Sequence, residues 1–132
     1  MATIKKEIVT KASTAAVWDA VRDVGALHTR LVPGFVVDTV VEPGARTVTF
    51  ANGLVVREPI ITLDDDARRL VWSVEGIHMT HYNAVVQVSE TPDGTRLTWT
   101  VDFLPDDAAP HQDAVMATGM GIMQQTLDKL AG

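Results

Sequence analysis

Residues 80–104, THYNAVVQVSETPDGTRLTWTVDFL, decide the fold. Two alternating runs, 80–90 and 96–104, flank Pro92-Asp93-Gly94. Proline presets one backbone angle of a turn and glycine accepts a positive one, so this tripeptide reverses the chain. A period of two gives each run one dry face, and so short a connection requires antiparallel pairing. The pattern repeats upstream. Residues 35–42 are β-branched and end at Pro43-Gly44, residues 46–50 alternate, and Asn52-Gly53 is a strong two-residue hairpin signal. Residues 54–63 run extended to Asp64-Asp65-Asp66, and residues 70–75 follow, closed by Gly76.

At the other side of the central stretch the period changes. After Pro105 and Pro110, residues 111–130 place Val115, Met116, Met120, Met123, Leu127 and Leu130 at helical spacing. At the chain's beginning, residues 3–12 alternate around Ile4 and Ile8 as a first strand. Ser13 stands where a helix N-cap belongs, and Val17, Trp18, Val21 and Val24 form the stripe behind it. Gly25 is the expected stop of that helix, and residues 26–31 are a second short helix ended by Pro33-Gly34. The expectation is an α+β domain: a curved antiparallel sheet of about seven strands, two short helices between strands 1 and 2, and one long C-terminal helix. One helix covers a wide twisted sheet incompletely, which leaves a hollow suited to a small apolar ligand.

Composition narrows the classes of function. The 132 residues make one domain, 1–132, with 46% hydrophobic and 21% charged residues. With 17 acidic against 11 basic residues, the net charge of −6 argues against a nucleic-acid partner, which needs a local excess of Lys and Arg. Cysteine is absent, so thiolate nucleophiles, disulfides and Cys-type metal sites are excluded. No apolar run reaches the roughly 18 residues of a membrane span, and no apolar stretch follows the basic N-terminus as a secretory signal would require. A cytoplasmic protein without a cofactor or metal is expected, as monomer or homodimer.

Glu58 is the most informative single residue. It alternates with Leu54, Val56 and Ile60, so parity turns its carboxylate to the dry face, where a charge is costly unless paired or neutralised. A bulge or an edge position would instead leave it in solvent beside Arg57 or Arg46. His78 and His81 have metal-like spacing, but residues three apart on a strand face opposite ways. Either His78 lies at a cavity mouth with Tyr82 pointing inward to offer its hydroxyl, or both histidines are exposed and Tyr82 is an amphipathic core residue. Trp72 and Trp99 stack on a flat ligand or simply fill the core. Met116, Met120 and Met123 suit an adaptable pocket wall, or plain core. Gly119 and Gly121 interrupt that helix at about 1 kcal/mol each relative to alanine, which suggests a close approach there. Asp64, Asp65 and Asp66 lack the alternating spacing of a calcium loop and read as a turn.

Three segments carry a family resemblance: IVTKASTAAVWDAVRDV (8–24), REPIITLDDDARRLVW (57–72) and GTRLTW (94–99). In this order they resemble the START-like, helix-grip superfamily, which includes polyketide cyclases and aromatases, the birch-pollen allergen, lipid-transfer domains and abscisic acid receptors. The resemblance spans essentially the whole chain. It implies a cavity between sheet and last helix, entered near Asn52-Gly53-Leu54 and near Gly76-Ile77-His78-Met79. It also implies that Glu58, Trp72 and Tyr82 take the places of the family's cavity carboxylate, aromatic and tyrosine. The short first loop, the absent His-Arg-Leu sequence in the second, and the early position of Lys5 and Lys6 argue against a hormone receptor. The expected function is binding of a small hydrophobic molecule, lipid-like or polyketide-like, by Glu58, Trp72, His78, Tyr82, Trp99, Met116, Met120 and Met123. The alternative is a cyclase or aromatase in which Glu58, Tyr82 and His78 move protons; a third possibility is an interaction module whose cavity is filled by side chains.

Overall fold

The alternating segments become seven strands in the computed structural model, which describes residues 1–132. They are β1 (Ala2–Thr10), β2 (Val36–Glu42), β3 (Ala45–Phe50), β4 (Val55–Asp64), β5 (Arg69–Ser73), β6 (His81–Thr91) and β7 (Gly94–Leu104). All neighbours are antiparallel, in the order β1-β7-β6-β5-β4-β3-β2. Every strand from β3 to β7 therefore pairs with its predecessor in sequence, β1 pairs with β7, and β1 and β2 are the two edges. The helix α1 (Thr14–Arg22) leaves β1 through Ser13, whose hydroxyl accepts the Ala16 amide at 3.1 Å. Two short helical turns follow, Val24–Ala26 and Leu27–Leu31. The long helix α2 (Ala109–Asp128) lies across the sheet.

One cluster of 23 buried residues unites these layers. The inner faces of β6 and β7 contribute Ala84, Val86, Val88, Leu97, Val101 and Phe103, and α2 contributes Met116, Met120, Met123 and Leu127. Trp18 packs from α1, and its indole N–H donates to Asp65 of the β4–β5 turn at 2.9 Å. Asp65 also accepts from Arg22 at 2.7 Å, while Asp64 Oδ1 accepts the amides of Asp66 and Ala67. The triple aspartate is thus a turn that clips α1 to the sheet.

Two local expectations need correction. Helix α1 ends at Arg22, capped by Asp23, and Gly25 does not adopt a left-handed conformation. A Cβ at Gly25 would come within 2.6 Å of Val41 Cγ2, so glycine is there for close approach to β2 and not as a helix stop. The β3–β4 hairpin also has a three-residue turn, Ala51-Asn52-Gly53, closed by the Phe50 amide donating to Leu54 O at 2.8 Å. Gly53 takes the positive φ of 90° that such a turn demands. This extra residue sets the register that pairs Arg46 directly with Glu58. A two-residue loop at 52–53 would pair Arg46 with Pro59 and put Arg46 and Glu58 on opposite faces of the sheet.

Candidate functional site

Between the sheet and α2 lies a cavity of about 670 Å³, within the range of small-molecule sites. Of its 32 lining residues 22 are hydrophobic, so it is an apolar chamber with a few placed polar groups. Five of the chain's seven aromatic residues face it: Phe35, Phe50, Trp72, Tyr82 and Trp99. Phe35 and Phe50 meet edge to face with centroids 5.5 Å apart, and Trp72 and Trp99 lie tilted by 31° at 6.5 Å. The mouth is formed by exposed Asn52 and Leu54 on one side, the 76–79 loop with exposed His78 on another, and Asp107 just before α2 with His111 in its first turn.

Inside, the polar groups come as two pairs. Glu58 is 5% exposed and Arg46 2%. Arg46 Nε donates to Glu58 Oε1 at 2.8 Å, Nη1 donates to Val24 O at 3.2 Å, and the guanidinium lies 5.4 Å from the centre of the Trp72 ring. Parity alone dictates that Glu58 turns inward between Val56 and Ile60, and register brings the one cation that can accompany it. Burial pushes the Glu58 carboxyl above its ordinary value, opposed by the charge and hydrogen bond of Arg46. In the second pair, Gln112 Nε2 of α2 donates to Tyr82 Oη at 3.4 Å. Burial, and then the nearby Glu58 charge, raise the ionisation of the Tyr82 phenol, with Gln112 opposing. Tyr82 therefore remains a neutral hydroxyl, able to donate or accept one hydrogen bond to a guest.

Of the residues singled out from sequence, Glu58, Trp72, His78, Tyr82, Trp99 and Met123 line this cavity. Met116 and Met120 do not. The helix turns two stripes inward: Gln112, Val115, Gly119 and Met123 toward the cavity, and Met116, Met120 and Leu127 into the closed core. The spacing of the methionines follows the core stripe, so sequence merges two faces that packing separates. His78 stands at the mouth, apart from the buried Glu58, and His81 is exposed and bonds Asn83 Oδ1 at 2.7 Å. Gly119 meets the expected close approach to α2: a Cβ there would meet Trp99 Cζ3 at 3.3 Å and Phe35 Cε2 at 3.4 Å. Gly121 faces open space, and no neighbour explains it. Phe35, Phe50 and Gln112 line the cavity without having been singled out in the sequence, and Arg46, expected beside Glu58 only in solvent, accompanies it inside. Strand parity would have placed Arg46 inside only with the three-residue turn already known.

Comparison with known proteins agrees with this architecture. Residues 1–132 match the family described as "Polyketide cyclase / dehydrase and lipid transport". The chain belongs to this family. A Streptomyces cyaneus protein bearing the name "putative polyketide cyclase" is 30% identical, over 85% of this chain and 79% of that relative. Among solved structures, the protein XoxI of Bacillus cereus superposes with a TM-score of 0.88 at 18% identity, covering 100% of this chain and 99% of that one. A START superfamily protein of Mycobacterium smegmatis gives 0.74 at 11% identity, over 96% and 94% of the two chains. The fold of this cyclase/dehydrase family member is thus helix-grip, a seven-stranded antiparallel sheet with the long α2 laid across it. No helix is long and apolar enough to cross a membrane.

Proposed function

We propose that this protein binds a small, largely apolar molecule, lipid-like or polyketide-like, in the cavity between sheet and α2. The observation that carries this reading is the apolar chamber of about 670 Å³ with polar side chains gathered inside it. Such a chamber buries the body of a guest and hydrogen-bonds one end of it. The third possibility of the sequence, a module packed solid, is opposed by that volume. Trp72, Trp99, Tyr82 and Met123 form the wall, and Glu58 with Arg46 the polar end.

The cyclase reading is supported by one specific observation. Glu58 and Tyr82 share the chamber closely enough for the charge of one to shift the other, and proton transfer needs two such convergent groups. In that reading Glu58 accepts the proton and Tyr82 steadies a developing oxyanion, while the wall holds a flexible carbonyl chain bent. His78, exposed at the mouth, contributes to entry and not to the proton path.

Titration with the neutral apolar fluorophore N-phenyl-1-naphthylamine tests the binding reading. Saturable binding is expected, abolished by Gly119→Leu, which pushes a side chain between Trp99 and Phe35. Absence of saturable binding overturns it. Native mass spectrometry of the purified protein is the second check, where a retained small molecule is expected. Turnover of a poly-β-carbonyl thioester that is lost in both Glu58→Gln and Tyr82→Phe would replace the carrier reading with the cyclase one.

A further inference from the structure

The Arg46–Glu58 pair leaves specific atoms unused. Arg46 spends Nε on Glu58 and Nη1 on Val24 O, while Nη2 makes no hydrogen bond within the protein. Glu58 accepts through Oε1, and its Oε2 receives no protein donor. Neither atom is sealed away: the side-chain polar atoms both fully buried and partnerless are Thr91 Oγ1 and Trp99 Nε1. Two residues that line the cavity, at 2% and 5% exposure, therefore keep one open donor and one open acceptor toward it. The charges of the pair cancel at 2.8 Å, so the chamber has no net positive charge to offer. Asp107 at the mouth adds a negative one, and no lysine or second arginine lines the wall.

From this geometry we propose that Glu58 sets the charge selectivity of the cavity. By holding Arg46 as a neutral pair, it makes the chamber accept an uncharged ligand end and reject a free carboxylate. The fitting end presents an acceptor oxygen to Arg46 Nη2 beside a hydroxyl or N–H donor for Glu58 Oε2, as in a carboxamide or a hydroxy-ketone. A carboxylate would gain the donor of Arg46 but meet the Glu58 oxygen as a like charge in a low-dielectric site, without water to screen it. This inference rests on the binding reading above and names the chemical class that the site takes.

The test displaces bound N-phenyl-1-naphthylamine with two molecules of nearly equal shape, 2-naphthamide and 2-naphthoate, at pH 8. Bulk hydration of the two competitors is the same for every protein variant, so a change in their affinity ratio reads the cavity. In the wild type, 2-naphthamide is expected to bind at least about tenfold more tightly. Glu58→Gln uncovers the Arg46 charge and is expected to move the ratio at least about tenfold toward 2-naphthoate. A ratio unchanged within about twofold overturns the proposal while leaving the binding reading intact, because the fluorophore still binds and is still displaced. Failure of the fluorophore to bind at all sinks the binding reading, and this inference with it. Should Glu58→Gln not fold, Arg46→Met serves. It is expected to weaken 2-naphthamide without strengthening 2-naphthoate, and a gain in 2-naphthoate affinity there overturns the assignment.

Discussion

Removing the two members of the buried ion pair should have unequal costs, and the inequality should change with pH. In Glu58→Leu, Arg46 stays charged, because a guanidinium does not lose its proton in a protein. It retains only the Val24 carbonyl at 3.2 Å and the Trp72 face at 5.4 Å. A buried charge stripped of its partner costs about 3–5 kcal/mol, and the ring face, already in contact in the wild type, adds nothing new to offset it. In Arg46→Met the remaining carboxyl has an escape, since it can take up a proton. The cost of doing so is bounded by the distance between the pH and its ordinary value of 4.5, at about 1.4 kcal/mol per pH unit. That bound is about 3.4 kcal/mol at pH 7 and about 0.7 kcal/mol at pH 5. Arg46→Met should therefore become markedly less harmful between pH 7 and 5, whereas Glu58→Leu should not. The double variant Arg46→Met/Glu58→Leu, with no charge to bury, is expected within about 1 kcal/mol of the wild type at both values. Urea unfolding followed by tryptophan fluorescence, with slopes checked for constancy, measures all four proteins. A penalty for Glu58→Leu below about 1 kcal/mol, or an Arg46→Met penalty independent of pH, would refute the description of Arg46 and Glu58 as a desolvated ion pair.

Other consequences are equally direct. Because Glu58 holds its proton more firmly in the folded than in the unfolded chain, the native state binds more protons just above pH 4.5, and this group makes stability rise as pH falls through that window. Asp65, held low by Arg22 and then Trp18, acts oppositely and withdraws stability only as pH drops below its ordinary 3.8. Unfolding curves of wild type and Glu58→Gln should diverge in the first window alone; a common slope there would contradict the raised carboxyl. Tyr82 is the chain's single tyrosine, so its absorbance titrates without overlap, and no phenolate should form near the ordinary value of 10 until the protein unfolds. Gly121→Ala should stabilise α2 by about 0.5–1 kcal/mol, since nothing stands near its Cβ. Gly119→Ala should gain less than this or lose, because Trp99 and Phe35 must give way. Equal effects at the two glycines, measured by thermal denaturation, would contradict the close approach.

The strands were legible because their information is local. Period two, turn residues and β-branching placed all seven to within two residues of their ends, and the Ser13 cap and the change to helical period did the same for α1 and α2. Much of the candidate site was legible for the same reason, since parity along β4, β5, β6 and β7 turns Glu58, Trp72, Tyr82 and Trp99 inward. What escaped were relations between elements. Asn52-Gly53 advertises a two-residue loop, and the single additional residue that brings Arg46 onto the same face as Glu58 is not marked in the local sequence. Met116 and Met120 escaped differently. A helical period tells which residues lie on one side of a helix, but the boundary between a closed core and an open chamber falls within that side. Phe35, reaching α2 from the start of β2, is part of what sets the boundary.

The division of α2 into two inward stripes separates two kinds of selection on one helix. Met116, Met120 and Leu127 hold it to the sheet, so changes there are judged by folding. Gln112 and Val115 border the cavity outside that cluster, where a side chain can lengthen, shrink or change polarity while the anchoring contacts persist. A lineage could thus exchange one guest for another through these two positions of α2, without first acquiring surplus stability. The same two positions are where a designed library would alter ligand preference at least cost to the fold, whereas Gly119 is closed in by Trp99 and Phe35.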